Sequence, residues 1–324
     1  MTALVEVDGV AKHFAANRTL PQMFAGERPV VRAVDGVSFD IAAGESLGIV
    51  GESGCGKTTL GRMLLRLMNP SAGDIRFDGK PLSTMGGDDL KAFRRRAQLV
   101  FQNPFDALNP RFTIARAVAE PLFNMGVPSA EHDGRMRQAM RRVRLEDVEA
   151  YYEKFPHQLS GGQLQRVVLA RALVLEPDFI VADEPVSMLD VSVRAGILNV
   201  MRDIGEQMQL AAAYISHDLA LIRYVCTRTV TMYLGVVVED GPTEEVVRNP
   251  LHPYTRALVQ AVPVPHVDQS RDPLPILGGM PDARNPPSGC RFRDRCPIAI
   301  PRCAEEVPPL REVAPRHRVA CHLV

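Results

Sequence analysis

Apolar and polar positions alternate in short runs through the first fifty residues. Leu4-Val5-Glu6-Val7, Ala33–Ile41 and Leu47–Val50 each predict a β-strand, and a polar, proline-bearing insertion at about residues 16–29 separates the first two. The period then changes. Leu60, Met63, Leu64, Leu67 and Met68 recur at i, i+3, i+4, i+7 and i+8, one face of a helix that Asn69-Pro70 should stop. Strand patterns return over residues 73–101. Asp78-Gly79 predicts a hairpin turn after Asp74–Phe77, and Gln98-Leu99-Val100-Phe101 is an apolar strand. From about Asn103 to Phe155 the pattern is helical and broken by prolines. Within it Met136, Met140 and Val143 line one side of an arginine-rich surface helix, Arg135–Arg144. A helix from Ser160 ends before Pro177, Phe179–Ala182 and Leu210–Ile215 predict buried strands, and residues 228–241 predict short strands closing the core. Fifteen of the 26 prolines lie beyond position 240, so the last ~75 residues read as a loop-rich accessory region with few apolar residues and little core. Strands and helices alternating in this way predict an α/β protein.

Composition narrows the class of function. Lysine plus arginine (38) equals aspartate plus glutamate (38), so no basic field points to nucleic acid or to anionic lipid. The run of Lys91, Arg94, Arg95 and Arg96 reads as a solvated helix face. No apolar run approaches the ~18–20 residues that a membrane span needs. The opening MTALVEVDGV lacks the basic start and apolar core of a signal peptide. The expectation is a soluble cytosolic protein whose six cysteines form no disulfides and whose membrane role, if it has one, runs through partners.

The candidate chemistry centres on Gly51–Thr59, GESGCGKTT, which fits G-x-x-x-x-G-K-[ST] with a strand before it and a helix after it. Glycines 51, 54 and 56 let the backbone curl so that the amides of Gly51, Glu52, Ser53, Gly54, Cys55, Gly56, Lys57, Thr58 and Thr59 can face a polyphosphate. Lys57 is placed to reach the β- and γ-phosphates, and the Thr58 hydroxyl to hold Mg²⁺. Phe14, on the loop after the first strand, is a candidate for stacking on a base or an ordinary core aromatic. Gln102, leaving a strand, is a candidate for Mg²⁺ or for the attacking water.

A second anion site is legible at Leu159–Gln163, LSGGQ. Ser160 and Gln163 form an S-x-x-Q capping box, and Gly161 and Gly162 leave the first amides of the helix uncovered. Asp183-Glu184 ends the Phe179–Ala182 strand and fits a Mg²⁺ aspartate followed by a base. Ser187–Asp190, SMLD, predicts a tight loop before another helix, and His217 ends the Leu210–Ile215 strand.

Together these motifs resemble the ATP-binding cassette (ABC) family of ATPases over roughly residues 1–250. The resemblance implies a P-loop ATPase core with an antiparallel β subdomain, a helical subdomain inserted at about residues 103–173, and a C-terminal extension over 251–324. It also implies roles. Gln102 stands at the Q-loop, Ser160–Gln163 in the signature motif, Asp183 at the Walker B aspartate, Glu184 at the catalytic glutamate and His217 at the switch histidine. Phe14 stands where the family more often has a base-stacking tyrosine, and SMLD departs mildly from the common S-A-L-D. Asn249–Thr255, NPLHPYT, and Leu108-Asn109-Pro110-Arg111 resemble the ATPases of oligopeptide and dipeptide importers. Related importers carry nickel or glutathione, and other family members act on ribosomes or DNA. One phosphate loop in the chain, and about a hundred ordinary residues between it and the signature, favour the importer.

That resemblance implies a head-to-tail dimer of ATPases, identical or merely similar, with ATP on one phosphate loop capped by the signature of the other. It implies two transmembrane permease subunits, an extracytoplasmic solute-binding protein and a peripheral place on the cytoplasmic face of the cell membrane. Finally, Cys290, Cys296, Cys303 and Cys321 are spaced C-x₅-C-x₆-C-x₁₇-C. Four thiolates suit either a [4Fe–4S] cluster or Zn²⁺, and the alternative is four reduced, unligated cysteines in a flexible tail. Structural zinc usually shows shorter pairs, and the family resemblance also favours iron–sulfur.

Overall fold

A computed structural model describes residues 3–15, 30–262, 276–279 and 281–324. The predicted insertion at 16–29 lies outside the described residues. The chain forms two compact units: Met1–Val5, Ile41–Ser46 and Arg76–Ile215 make the first, and Glu6–Asp40, Leu47–Ile75 and Ser216–Val324 the second.

The first unit carries three neighbouring parallel strands, Ala97–Val100, Phe179–Asp183 and Ala211–Ser216, in register Val100↔Ala182 and Ala182↔Tyr214. Helices cover the connections between them, and the strands read as near-continuous apolar runs, as parallel strands buried on both faces must. Between the first two strands lies the expected helical block. Ile114–Met125, Ser129–Arg142 and Gly161–Leu173 pack on one another. Met136, Met140 and Val143 are buried on its inner side, while Arg135 and Arg137 pair outward with Glu131 and Asp133. Helix Gly87–Arg96 buries only Phe93, and Lys91, Arg94 and Arg95 lie on the solvated face the sequence predicted, whereas Arg96 is half-buried and pairs with Asp78 and Asp178.

In the second unit Ser46–Val50 pairs in parallel with Arg228–Tyr233, which turns back antiparallel into Val236–Pro242. The two strands that close this edge, His317–Val319 and Arg311–Ala314, come from the end of the chain. A separate antiparallel layer begins with the long strands Ala3–Ala15 and Val30–Ala42, which are neighbours.

Three expectations change here. Phe14 lies within the strand Ala3–Ala15 and not on a loop after it, with Lys12 Nζ 5.5 Å from its ring centre. The helix after the phosphate loop is Lys57–Leu64, one turn shorter than its apolar period implied. Arg66 takes a left-handed conformation, and the Leu67 and Arg66 amides bond back to the Arg62 and Met63 carbonyls, a Schellman-type stop. Helical spacing continued past a residue whose backbone had already ended the helix.

The third change concerns the tail, which has a core after all. Tyr233, Leu234, Val238, Tyr254 and Phe292 form one buried cluster. Its rings pack edge to face, with centroids 4.7 Å apart for Tyr233–Tyr254 and 5.2 Å for Tyr233–Phe292. Three aromatics bury enough area to anchor a segment poor in aliphatic residues. Buried Glu239 completes the join: its carboxylate accepts the Leu251 and His252 amides and pairs with His317. The neutral His252 ring accepts the Tyr254 amide and so caps helix Pro253–Ala261; burial pushes its pKa down to about 4, which keeps that acceptor available.

Candidate functional site

The phosphate loop leaves strand Ser46–Val50 and turns into helix Lys57–Leu64. Gly56, at φ 107°, caps that helix in a conformation side chains avoid, and a β-carbon there would run into the Ala33 carbonyl. Gly51 is confined in the same way by the Met232 carbonyl and the Cys55 sulfur. Ser53, Gly54 and Thr58 are exposed. Lys57 is buried, its amino group donating to the Gly51 and Glu52 carbonyls at 2.7 and 2.9 Å. The lysine thus curls back over its own loop. Cys55 is buried beneath it, and burial raises its thiol.

Asp183 and Glu184 belong to the first unit. Asp183 ends the Phe179–Asp183 strand opposite Ile215, and Glu184 follows with a left-handed backbone, φ 46°. For a residue other than glycine that conformation is uncommon and tends to mark a functional constraint. It is held on both sides: the Glu184 amide donates to Ile215 O, and the Ser187 amide and hydroxyl both donate to the Glu184 carbonyl. Gln102 Nε2 donates to Glu184 Oε2 at 3.1 Å, which joins two residues 82 positions apart that the sequence could only nominate separately.

The LSGGQ segment forms the predicted capping box. Ser160 Oγ accepts the Gln163 amide at 3.3 Å, and Gln163 Oε1 accepts the Ser160 amide at 3.0 Å. Gly161 and Gly162 open helix Gly161–Leu173, but they are not equivalent. A β-carbon on Gly161 would touch only Leu189, at 3.4 Å, whereas one on Gly162 would meet Val193 Cγ1 at 2.5 Å. Gly162 is therefore a packing glycine against helix Val191–Met208, a role its place in the motif did not show.

His217 is exposed at the end of Ala211–Ser216, and the next residue, Asp218, caps the following helix through Ala220 and Leu221. His217, Lys57 and Thr58 thus lie in the second unit, and Gln102, Ser160–Gln163, Asp183 and Glu184 in the first.

The four C-terminal cysteines are free thiols near enough to influence one another's ionisation. Burial first, and the proximity of Cys303, Cys296 and Cys321, push Cys290 up to about 11. Yet among the described residues no group of three or more His, Cys, Asp or Glu could hold a metal ion. The thiols are gathered without converging on one point, and the expected [4Fe–4S] or zinc site gains no support from their arrangement. Spacing along the chain brings ligands into one neighbourhood but does not aim them.

Sequence reasoning missed the contacts that the C-terminal region makes with the phosphate loop. Tyr254 and Arg295 both bond to Glu52. In the sequence Tyr254 stands out only as part of NPLHPYT, and nothing in the spacing marks Arg295.

Residues 34–187 match the family described as ABC transporter, and residues 238–303 match the C-terminal region of oligopeptide/dipeptide transporters. The chain is 44% identical to the oligopeptide transport ATP-binding protein AppF of Bacillus subtilis, over 99% of this chain and 97% of that protein. It is 43% identical to the di/tripeptide transport ATP-binding protein DppF of Pseudomonas aeruginosa, over 99% and 98%. Among solved structures it resembles MJ0796, a bacterial ABC transporter cassette captured as a dimer, with a TM-score of 0.64 and 26% identity over 74% of this chain and 98% of that one. A post-hydrolysis form of the same cassette, bound to ADP and Pi, is similar to the same degree, with a TM-score of 0.64 and 27% identity.

Proposed function

Because this chain belongs to the ABC transporter family, as an ATP-binding protein related over its full length to those of peptide transport, we propose that it hydrolyses ATP to drive import of peptides through partner membrane permeases. The observation that carries the reading is the pairing of an ABC match with a peptide-transporter C-terminal match in one chain. Among the described residues no helix is long and apolar enough to cross a membrane, which suits a subunit that borrows its membrane path from two permeases. An extracytoplasmic protein would deliver the peptide, and the working site would be the cytoplasmic face of the membrane.

In the proposed mechanism MgATP is the substrate. Amides of residues 51–59 and the Lys57 ammonium hold its phosphates, Phe14 flanks the base, and Thr58, Asp183 and Gln102 hold the Mg²⁺ that accompanies it. Glu184, positioned by Gln102, takes a proton from the attacking water, and His217 contacts the γ-phosphate. Catalysis is positioning and charge neutralisation. The helix start at Ser160, Gly161 and Gly162, with Gln163 closing its capping box, would cover the ATP of a second cassette in a head-to-tail dimer, an arrangement supported by the dimeric form of the similar cassette. ATP then joins two protein surfaces, and its hydrolysis lets them part. Reconstituted with two permease subunits and a solute-binding protein in vesicles, the chain should take up peptide only with ATP inside. Uptake of nickel or glutathione in place of peptide would overturn the cargo, and absence of ATP turnover would overturn the whole reading.

The finer assignment of a [4Fe–4S] cluster to Cys290, Cys296, Cys303 and Cys321 belongs to this proposal. Its support is the sequence: four cysteines spaced C-x₅-C-x₆-C-x₁₇-C, a ligand count that suits the cluster. Anaerobically purified protein should be brown, and Cys296→Ser should bleach it. Colourless protein carrying stoichiometric zinc would replace the cluster with zinc, and protein with neither would remove both.

A further inference from the structure

A carboxylate is an odd residue to find in a loop that binds a polyphosphate, because like charges repel. Glu52 is the second residue of that loop, and two buried side chains from the C-terminal region close on it. Arg295 grips its carboxylate with both terminal nitrogens, Nη1 to Oε2 at 2.7 Å and Nη2 to Oε1 at 3.0 Å. The Tyr254 hydroxyl accepts the Glu52 backbone amide at 2.7 Å. Tyr254 is 0% and Arg295 5% exposed. Both lie within the stretch that matches the peptide-transporter C-terminal region.

Neither contact is a loose surface pair. Tyr254 is wedged against Tyr233 and Phe292. Arg295 ends a short helical turn whose amide bonds back to the Phe292 carbonyl, and its own carbonyl accepts the Leu277 amide. Nearby Arg291 is anchored to the Leu234 carbonyl and to Asp35. The far side of the loop is held as well, by the Gly235 amide donating to the Cys55 carbonyl at 2.9 Å. A bidentate guanidinium with little exposure is fixed in direction and poorly screened by salt.

We propose that Arg295 and Tyr254 are positioning residues for the nucleotide: Arg295 neutralises the Glu52 carboxylate and holds it off the phosphates, and Tyr254 fixes the backbone of the loop at the same residue. The inference rests on the phosphate loop binding ATP, as proposed above. The C-terminal region thereby becomes part of the ATP site and not only an appendage to it.

An unpaired Glu52 carboxylate would weaken ATP binding in a way that loss of a merely structural contact would not. Arg295→Ala leaves a bare carboxylate beside the phosphates, so the dissociation constant and KM for ATP should rise about tenfold, with kcat within about threefold of wild type. Glu52→Gln in the Arg295→Ala background removes the stranded charge and should restore most of the lost affinity. Tyr254→Phe keeps the ring packing, loses the hydroxyl acceptor, and should weaken binding about threefold. Binding of a fluorescent ATP analogue and steady-state turnover by the full-length chain read all of these. Should Arg295→Ala fail to fold, Arg295→Gln keeps most of the volume without the charge and should show the same weakening and the same rescue. Unchanged affinity in the folded arginine variant, or a double variant no better than the single one, overturns the proposal. Wild-type protein that binds no ATP would instead remove the functional reading beneath it.

Discussion

Glu184→Gln is expected to lower ATP turnover by about 10²–10⁴-fold, the usual contribution of a positioned general base, while leaving ATP binding within a few-fold of wild type. The substitution is well isolated. Glutamine has the length of glutamate and keeps an oxygen to accept from Gln102 Nε2, which sits 3.1 Å from the carboxylate. The backbone there does not depend on the side chain, since Ile215 O accepts the Glu184 amide and Ser187 bonds to its carbonyl. What disappears is the capacity to take a proton from water. If ATP joins two cassettes, the variant should also accumulate as a dimer in MgATP, visible by size-exclusion chromatography. Phosphate release at close to the wild-type rate would end the assignment of Glu184 as the base.

Gly161→Asp should be nearly as damaging to turnover, and for a different reason. The obvious neighbour, Gly162, is a poor site for the test because any side chain there collides with Val193. Gly161 is exposed, and an added β-carbon meets only Leu189 at ordinary contact distance. Aspartate in the first turn of helix Gly161–Leu173 also suits the helix dipole, which favours it by about 0.3–1 kcal/mol, so folding should hold or improve. In the proposed dimer the same carboxylate faces the γ-phosphate of the partner's ATP and repels it. Turnover should fall at least about a hundredfold, a cost of about 2.7 kcal/mol in transition-state stabilisation, with ATP binding to the isolated chain unchanged. A variant that stays monomeric and loses ATP binding would show that the signature segment serves its own chain's nucleotide. One that hydrolyses normally would show that it serves none.

The nucleotide chemistry was legible in the sequence because it depends on short segments whose geometry is local. Gly51–Thr59 needs glycines at turns that side chains would block, and Gly51 and Gly56 are blocked in just that way. Ser160 and Gln163 satisfy each other's amides across three residues, so the capping box could be read and was found. The amphipathic helix with Met136 and Met140 followed from period alone. Element ends were less legible. The helix after the phosphate loop stops at Leu64 because Arg66 adopts a left-handed backbone, and an arginine carries no signal of that kind.

Contacts between distant residues were not legible at all. Gln102 and Glu184 are 82 positions apart, Glu52 and Arg295 are 243 apart, and each pair exists only because the chain brings two segments to one place. The end of the chain looked coreless because aliphatic residues are scarce there, whereas three aromatics from separate segments supply its core and its last strands extend the sheet of the second unit. The same limit explains the cysteines, whose spacing named a ligand set that folding gathers without converging. Local hydrogen-bonding and steric demands are written in consecutive residues, and so the sequence alone determined the loop, the capping box and the acidic strand end. Which charge lies against which loop depends on how segments far apart in the chain pack, and that was decided only by the tertiary structure.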